Sequence, residues 1–327
     1  MPDRRLMHRS RLAACALAAA LLAACGGGGG DDGTPAVSPT PVNPSVPASG
    51  YASAEQRTLY EQLNTLRLGA GAGVVLRDTR LDASAAAHLN YLRLNGVSAG
   101  HAEVQGQPGF TGASIGRRAE AAGYVFQLVS EDLAWGTSFT PMQCLDLLLS
   151  SVYHLAGLMG EQRDMGVAYG PVGGKLNGCV FNFGVRWGTA PQQRPGGVAV
   201  TYPYPGQSGV ATSFAPATEL PNPMPDVGSR RVGQPVFVSM RAQGSSDAAG
   251  YAVSSFTLQD ANGSAVPARL IGRDTAGTSA DPQSHLRPGE VFLVPLAPLA
   301  AGARYTVRFA GRNGSVPYEA GWSFTTR

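Results

Sequence analysis

Lysine is almost missing from this chain. Lys175 is the single lysine among 25 basic residues in a sequence of 327. No H-E-x-x-H zinc helix occurs, and no nucleophile elbow is read between an expected strand and an expected helix. Beyond the first two dozen residues no apolar run is long enough to cross a bilayer. Free thiols are scarce too, with four cysteines in all. Together these absences weaken the case for a metalloprotease, a serine or cysteine hydrolase, or a membrane-spanning protein. Glycine (43) and proline (24) are abundant instead, which implies many turns and long connectors. The length suggests two domains plus unstructured sequence.

The N-terminus carries a basic n-region (Arg4, Arg5, Arg9, Arg11) followed by the apolar stretch LAACALAAALLAA. That stretch is the h-region of an export signal. It ends in Leu22-Ala23-Ala24-Cys25, which resembles the lipobox of bacterial lipoproteins. The resemblance implies cleavage before Cys25 and acylation of that cysteine, and an outer-membrane address in a cell that has one. The alternative is an ordinary secretory signal cut at an A-x-A-like site. Loss of residues 1–24 removes four arginines and one aspartate, leaving 21 basic and 21 acidic side chains. A net charge near zero provides no long-range attraction for nucleic acid, so membrane attachment is expected through lipid alone. Cys15 leaves with the signal, and Cys144 and Cys179 remain to form one disulfide, the alternative being two buried thiols.

Residues 25–50 read as a flexible, then proline-stiffened tether. In residues 51–187, helices are expected from Ser53, with Gln56 completing a capping box, and after Asp82 as N-cap, ending at Gly96. Further helices are expected over 114–121 and from Pro141, with strands at 124–129, 165–170 and 179–187. Helices first and alternating strands later make this an α+β domain. Residues 188–225 read as a linker, and 226–327 as a β-sandwich of short strands separated by turns.

Several strings of the first domain occur in an order that is informative: LNTLR (63–67), LDASAAAHLNYL, the GHAE turn, SEDLAWG, SSVYHLAGLM and MGVAYG. The set resembles the CAP superfamily (SCP-like domains) in its bacterial secreted branch. That resemblance covers residues 55–187 and implies an α-β-α sandwich with a cleft lined by two histidines and one or two glutamates. Carried over, the cleft residues would be His101, Glu131 and His154. Asp132 stands where the family has Asn, Val152-Tyr153 where it has Pro-Gly, and Leu155 where it has Arg. The second family glutamate has no match before His154, and Glu103 is the nearest substitute. Residues 226–327 resemble bacterial Ig-like domains through LAAGARYTVRFAG and WSFTT.

Two imidazoles and a carboxylate permit three chemistries. His101, His154 and Glu131 could hold a divalent metal such as zinc. Glu131 could orient an imidazole acting as general base in a peptide or cell-wall hydrolase. The cleft could also bind a small molecule, lipid, peptide or cell-wall fragment without reacting, or be a vestige in a structural envelope protein. These residues favour binding over catalysis. His88 is expected as a packed helix residue, Glu103 as a solvated turn carboxylate if it is not the substitute, Trp135 as packing over the cleft floor, and His285 as exposed.

Overall fold

The computed structural model describes residues 44–242 and 250–327. The expected signal segment and Cys25 lie outside the described residues. Helix α1 (Ala54–Ala70) starts at Ser53, whose hydroxyl accepts the Gln56 N–H, and stops at Gly71 in the left-handed region (φ 77°). Leu59 and Leu63, one turn apart, are fully buried. Strand β1 (Leu76–Arg77) leads into α2 (Thr79–Asn95), which is capped by Asp78 rather than by Asp82 as expected. Asp82 lies in the first turn of the helix and binds the Tyr51 hydroxyl (2.5 Å), Arg77 Nε (2.7 Å) and the Val167 N–H (3.0 Å). Helix α3 (Ile115–Ala121), strand β2 (Phe126–Thr137), α4 (Pro141–Leu149), α5 (Tyr153–Leu158) and strands β3 (Asp164–Gly173) and β4 (Leu176–Arg186) follow.

These four strands form one sheet in the order β1-β3-β4-β2, with β1 and β3 parallel and the other pairs antiparallel. Alternation along the strands decides which helices cover which face. Met165, Val167, Phe181 and Phe183 join the core with α1, α4 and α5. Ala168 and Val180 lie with Ala85 of α2. Gly166 permits the close approach of α2: a Cβ there would sit 2.0 Å from the Leu81 carbonyl carbon. Cys144 and Cys179 form the expected disulfide, with Cα atoms 6.2 Å apart, tying α4 to β4.

Residues 188–225, expected as a linker, are built into the fold. Strand β5 (Val200–Tyr202) is the edge of a five-stranded sheet. Strand β6 (Ser213–Phe214) pairs with β7 (Val232–Gly233). Tyr202, Phe214 and Met224 are buried in the same core as Leu59 and Phe181. Each large apolar side chain taken fully out of water contributes about 1.5–3 kcal/mol, so the proline- and glycine-rich segment is held down by its apolar minority.

The remaining strands are β8 (Val236–Ser239), β9 (Tyr251–Gln259), β10 (Ala268–Gly272), β11 (Thr275–Ala276), β12 (Ser279–Ala280), β13 (Glu290–Pro295), β14 (Arg304–Asn313) and β15 (Val316–Thr325). They make a sheet β12-β10-β13-β8-β5 and a second sheet β11-β9-β14-β15. Val236, Val238 and Leu293 of the first share a core with Phe256, Val307, Phe309 and Trp322 of the second.

Candidate functional site

Two histidines face a groove of about 670 Å³. On one side it is walled by β2 and α4, including Leu133, Trp135 and Leu148, and on the other by residues 211–220. His101 and His154 both line it, with side chains 49% and 18% exposed. Most of the remaining wall is apolar. The two carboxylates expected beside the histidines, Glu131 and Glu103, are buried behind the wall and do not line the groove.

Glu131 lies on β2. Its Oε1 receives His101 Nδ1 (3.0 Å) and Arg118 Nη2 (2.8 Å). Its Oε2 receives the Asn182 amide nitrogen (3.0 Å) once that side chain is oriented to satisfy both ends. Burial alone would raise its pKa, but the His101 hydrogen bond and the charges of His88, Arg118 and His101 hold it below the ordinary value. Arg118, wholly buried on α3, also donates to the carbonyls of His101 (3.0 Å) and Gly112 (3.4 Å). Thus one guanidinium fixes both the carboxylate behind His101 and the backbone that carries His101.

Glu103 is not the solvated turn carboxylate expected; only 3% of the residue is exposed. It accepts the N–H groups of Thr111 (2.6 Å) and Gly112 (3.1 Å) and contacts His88 Nδ1 (2.9 Å). His88 Nε2 in turn lies 2.9 Å from the Gly100 carbonyl, so His88 is the packed, hydrogen-bonded residue expected. Glu103 therefore pins the 100–112 loop, and Glu131 and Glu103 belong to one buried network around Arg118 and His88. Arg118 and Asn182 were not anticipated from sequence. Arg118 occupies an expected helix beside the exposed Arg117, and composition does not distinguish the two.

His154 finds its carboxylate far along the chain. Its Nδ1 lies 3.1 Å from Oε1 of Glu219, in the segment expected as a linker. Glu219 also accepts the N–H groups of Val152 (2.9 Å), Tyr153 (2.7 Å) and His154 (3.2 Å). Val152 is the N-cap of helix α5 and makes no side-chain cap hydrogen bond. The orphan amides of the helix are satisfied by a carboxylate 65 to 67 residues away. Burial disfavours the imidazolium, but the Glu219 hydrogen bond and the charges of Asp132 and Glu219 outweigh it and raise the His154 pKa. Tyr153 donates to Asp281 (2.6 Å) and meets the ring of His285 edge-on at 5.2 Å.

Asp132, next to Glu131 on β2, is buried, and its Oδ2 has no hydrogen-bond partner among the described residues. Burial pushes its pKa up to about 7, opposed by the charges of His154 and His101 and reinforced by Glu131 and Glu219. Gly157 of α5 leaves room for it, since a Cβ there would stand 2.6 Å from Oδ2. Trp135 lines the groove wall as expected.

The donor set argues against a metal held by His101, His154 and Glu131 together. Glu131 has both oxygens engaged by protein donors. Among the described residues, no group of three or more His, Cys, Asp or Glu side chains is arranged to hold a metal ion. Ser151, His154 and Glu219 do not form a hydrolytic triad either. Ser151 Oγ (3.3 Å) and Glu219 (3.1 Å) both address Nδ1 of His154, whereas a triad needs the serine and the carboxylate on opposite ring nitrogens. Gly96-Val97-Ser98-Ala99-Gly100 has the spacing of a nucleophile elbow, but it follows a helix and forms a 3-10 turn over Val97–Ala99. An elbow joins a strand to a helix.

No family model matches the chain, and no curated protein matches it. Among solved structures it is similar to an extracellular protein containing an SCP domain from Bacillus anthracis (19% identity, TM-score 0.33). That match covers 40% of this chain and 40% of the other, so the likeness spans well under half of that protein. A second similar structure is an outer surface protein from Borrelia burgdorferi (18% identity, TM-score 0.34), with 42% of this chain and 96% of that chain covered.

Proposed function

We propose that the chain is an exported cell-envelope lipoprotein whose CAP-like domain, residues 51–187, binds a ligand non-catalytically in the groove between His101 and His154. In this reading Cys25 carries the lipid, and residues 226–327 form an Ig-like sandwich that serves as spacer or adhesion module. The Cys144–Cys179 disulfide supports export, because such bonds persist in oxidising compartments. The sharing of one core by two sheets supports the sandwich. Two imidazoles on one apolar groove carry the binding reading. Each is backed through Nδ1 by a buried carboxylate, and neither Nε2 has a hydrogen-bond partner among the described residues. A few convergent polar groups on a largely apolar concavity are the usual make-up of a small-molecule site.

A fragment screen by protein NMR on the soluble chain without its lipid tests this. Hits are expected to move the resonances of His101, His154 and Trp135 together. Ala215, on the opposite wall, offers a block. Ala215→Trp should weaken those hits by about tenfold or more, equivalent to at least about 1.4 kcal/mol. Hits scattered over the surface, or unaffected by the block, would leave the groove a structural vestige.

A further inference from the structure

We propose that Glu219 is the positioning residue of His154: it holds the imidazole through Nδ1 and leaves Nε2 as the ring nitrogen offered to a ligand in the groove. The candidate site is therefore completed by residues outside the CAP-like region. This deepens the groove reading above by assigning what each wall contributes, but its test does not depend on a ligand.

Four contacts converge on one carboxylate. Glu219 is 3% exposed and takes three consecutive backbone N–H groups from Val152 to His154, as well as the His154 ring. The backbone bonds fix where α5 starts, and the ring bond fixes how His154 is turned. A carboxylate only accepts, so the nitrogen it faces must carry the proton. Neutral His154 is then the Nδ1–H tautomer, with a bare Nε2 that accepts a hydrogen bond. Ser151 Oγ lies farther away at 3.3 Å and gives its own proton to the Leu148 carbonyl (2.7 Å), so it too can only accept from Nδ1. Asp132 is the other carboxyl acting on the ring from the strand beneath, through charge rather than through a hydrogen bond.

His101 is arranged in the same way. Its Nδ1 faces Glu131, and it too lines the groove. Both rings thus present an acceptor nitrogen when neutral. The matching ligand carries hydrogen-bond donors, hydroxyl or N–H, above an apolar body. The two backing carboxylates come from different parts of the chain, Glu131 from the sheet strand β2 and Glu219 from the docked segment.

Long-range proton–nitrogen spectra of the histidine side chains read this directly, on the whole soluble chain across a pH titration. Wild-type His154, when neutral, should carry its proton on Nδ1. In Glu219→Ala the ring loses its acceptor and should revert to Nε2–H, the form that free imidazole side chains prefer. Glu219→Gln retains an acceptor oxygen without the charge. It should keep Nδ1–H while the His154 titration moves to lower pH, and so it serves if the alanine variant folds poorly. His101 is the internal control, and its tautomer should stay as in wild type. A wild-type proton on Nε2, or a His154 titration unmoved by Glu219→Gln, would overturn the proposal. So would a change shared equally by His101, because that is the signature of general disruption rather than of positioning.

Discussion

Arg118→Met is expected to destabilise the fold by about 3–5 kcal/mol, the cost of breaking a buried ion pair from one side. The guanidinium is completely buried between Glu131, at 2.8 Å, and Glu103, at 3.8 Å. A methionine fills much of the volume but leaves two carboxylates without a full positive charge beside them. His88 and His101 offset this only when protonated. Glu131 in the wild-type fold sits below its ordinary pKa despite its burial, so it contributes stability above the unfolded value that is lost as pH falls through the folded one. Without Arg118 the carboxylate is held less firmly in its charged form. The loss should therefore be larger at pH 8 than at pH 5, where a carboxyl can take up a proton instead. Urea unfolding of both proteins at the two pH values measures it. Glu131→Gln added to Arg118→Met should recover part of the loss, since it removes the stranded charge. A single variant within about 0.5 kcal/mol of wild type, the range of ordinary surface changes, would mean the guanidinium is not what holds the network together.

This network also shows which parts of the site can be read from sequence. The helices that carry it were readable because their periodicity and caps are local. Ser53, Ser114 and Thr140 each cap a helix by accepting the N–H of the residue three positions later. Asp82 misled because its tertiary role looks like a cap: a carboxylate at the start of an apolar repeat suggests an N-cap whether it binds its own helix or Tyr51, Arg77 and Val167. His101 and His154 were found by resemblance, and both do line the groove. Their surroundings were not legible. Arg118 is one arginine of a pair on a short helix, and only packing decides which of the two turns inward. Glu219 lies in a proline-rich stretch whose composition suggests a linker, and nothing local marks its tie to a histidine 65 residues earlier.

The departures from the CAP-like pattern gain a physical reason here. Val152 and Tyr153, standing where that pattern has Pro-Gly, both donate backbone N–H groups to Glu219. A proline at 152 would have no N–H to give. Tyr153 also reaches Asp281, and Leu155 is fully buried. The unusual residues around His154 are therefore those against which the rest of the chain docks. Asp132, the remaining departure, lies under the same helix at Gly157.

Asp132→Asn is expected to stabilise the protein at alkaline pH and to leave it unchanged in acid. Among the described residues the buried carboxyl has no partner for Oδ2, and its pKa is raised from 3.8 to about 7, chiefly by burial. Between those values the folded protein holds a proton that the unfolded chain has released. Stability must therefore fall as pH rises from about 4 towards 7 and level off above it. Each tenfold change in proton affinity is worth about 1.4 kcal/mol, which places the loss at no more than about 4 kcal/mol. Asparagine has the shape of the protonated acid and cannot ionise, so it escapes that loss. An advantage of about 2 kcal/mol at pH 8 corresponds to a Tm higher by about 3 °C in a chain of this size. The variant should also lower the His154 titration, because the Asp132 charge helps to hold that imidazole protonated. Thermal melts from pH 4 to pH 9, with the histidine titration followed alongside, test both effects. A wild-type Tm that rises steadily through pH 5 to 7 while the variant stays flat would show that Asp132 is ionised and satisfied in the fold, with the sign of this argument reversed.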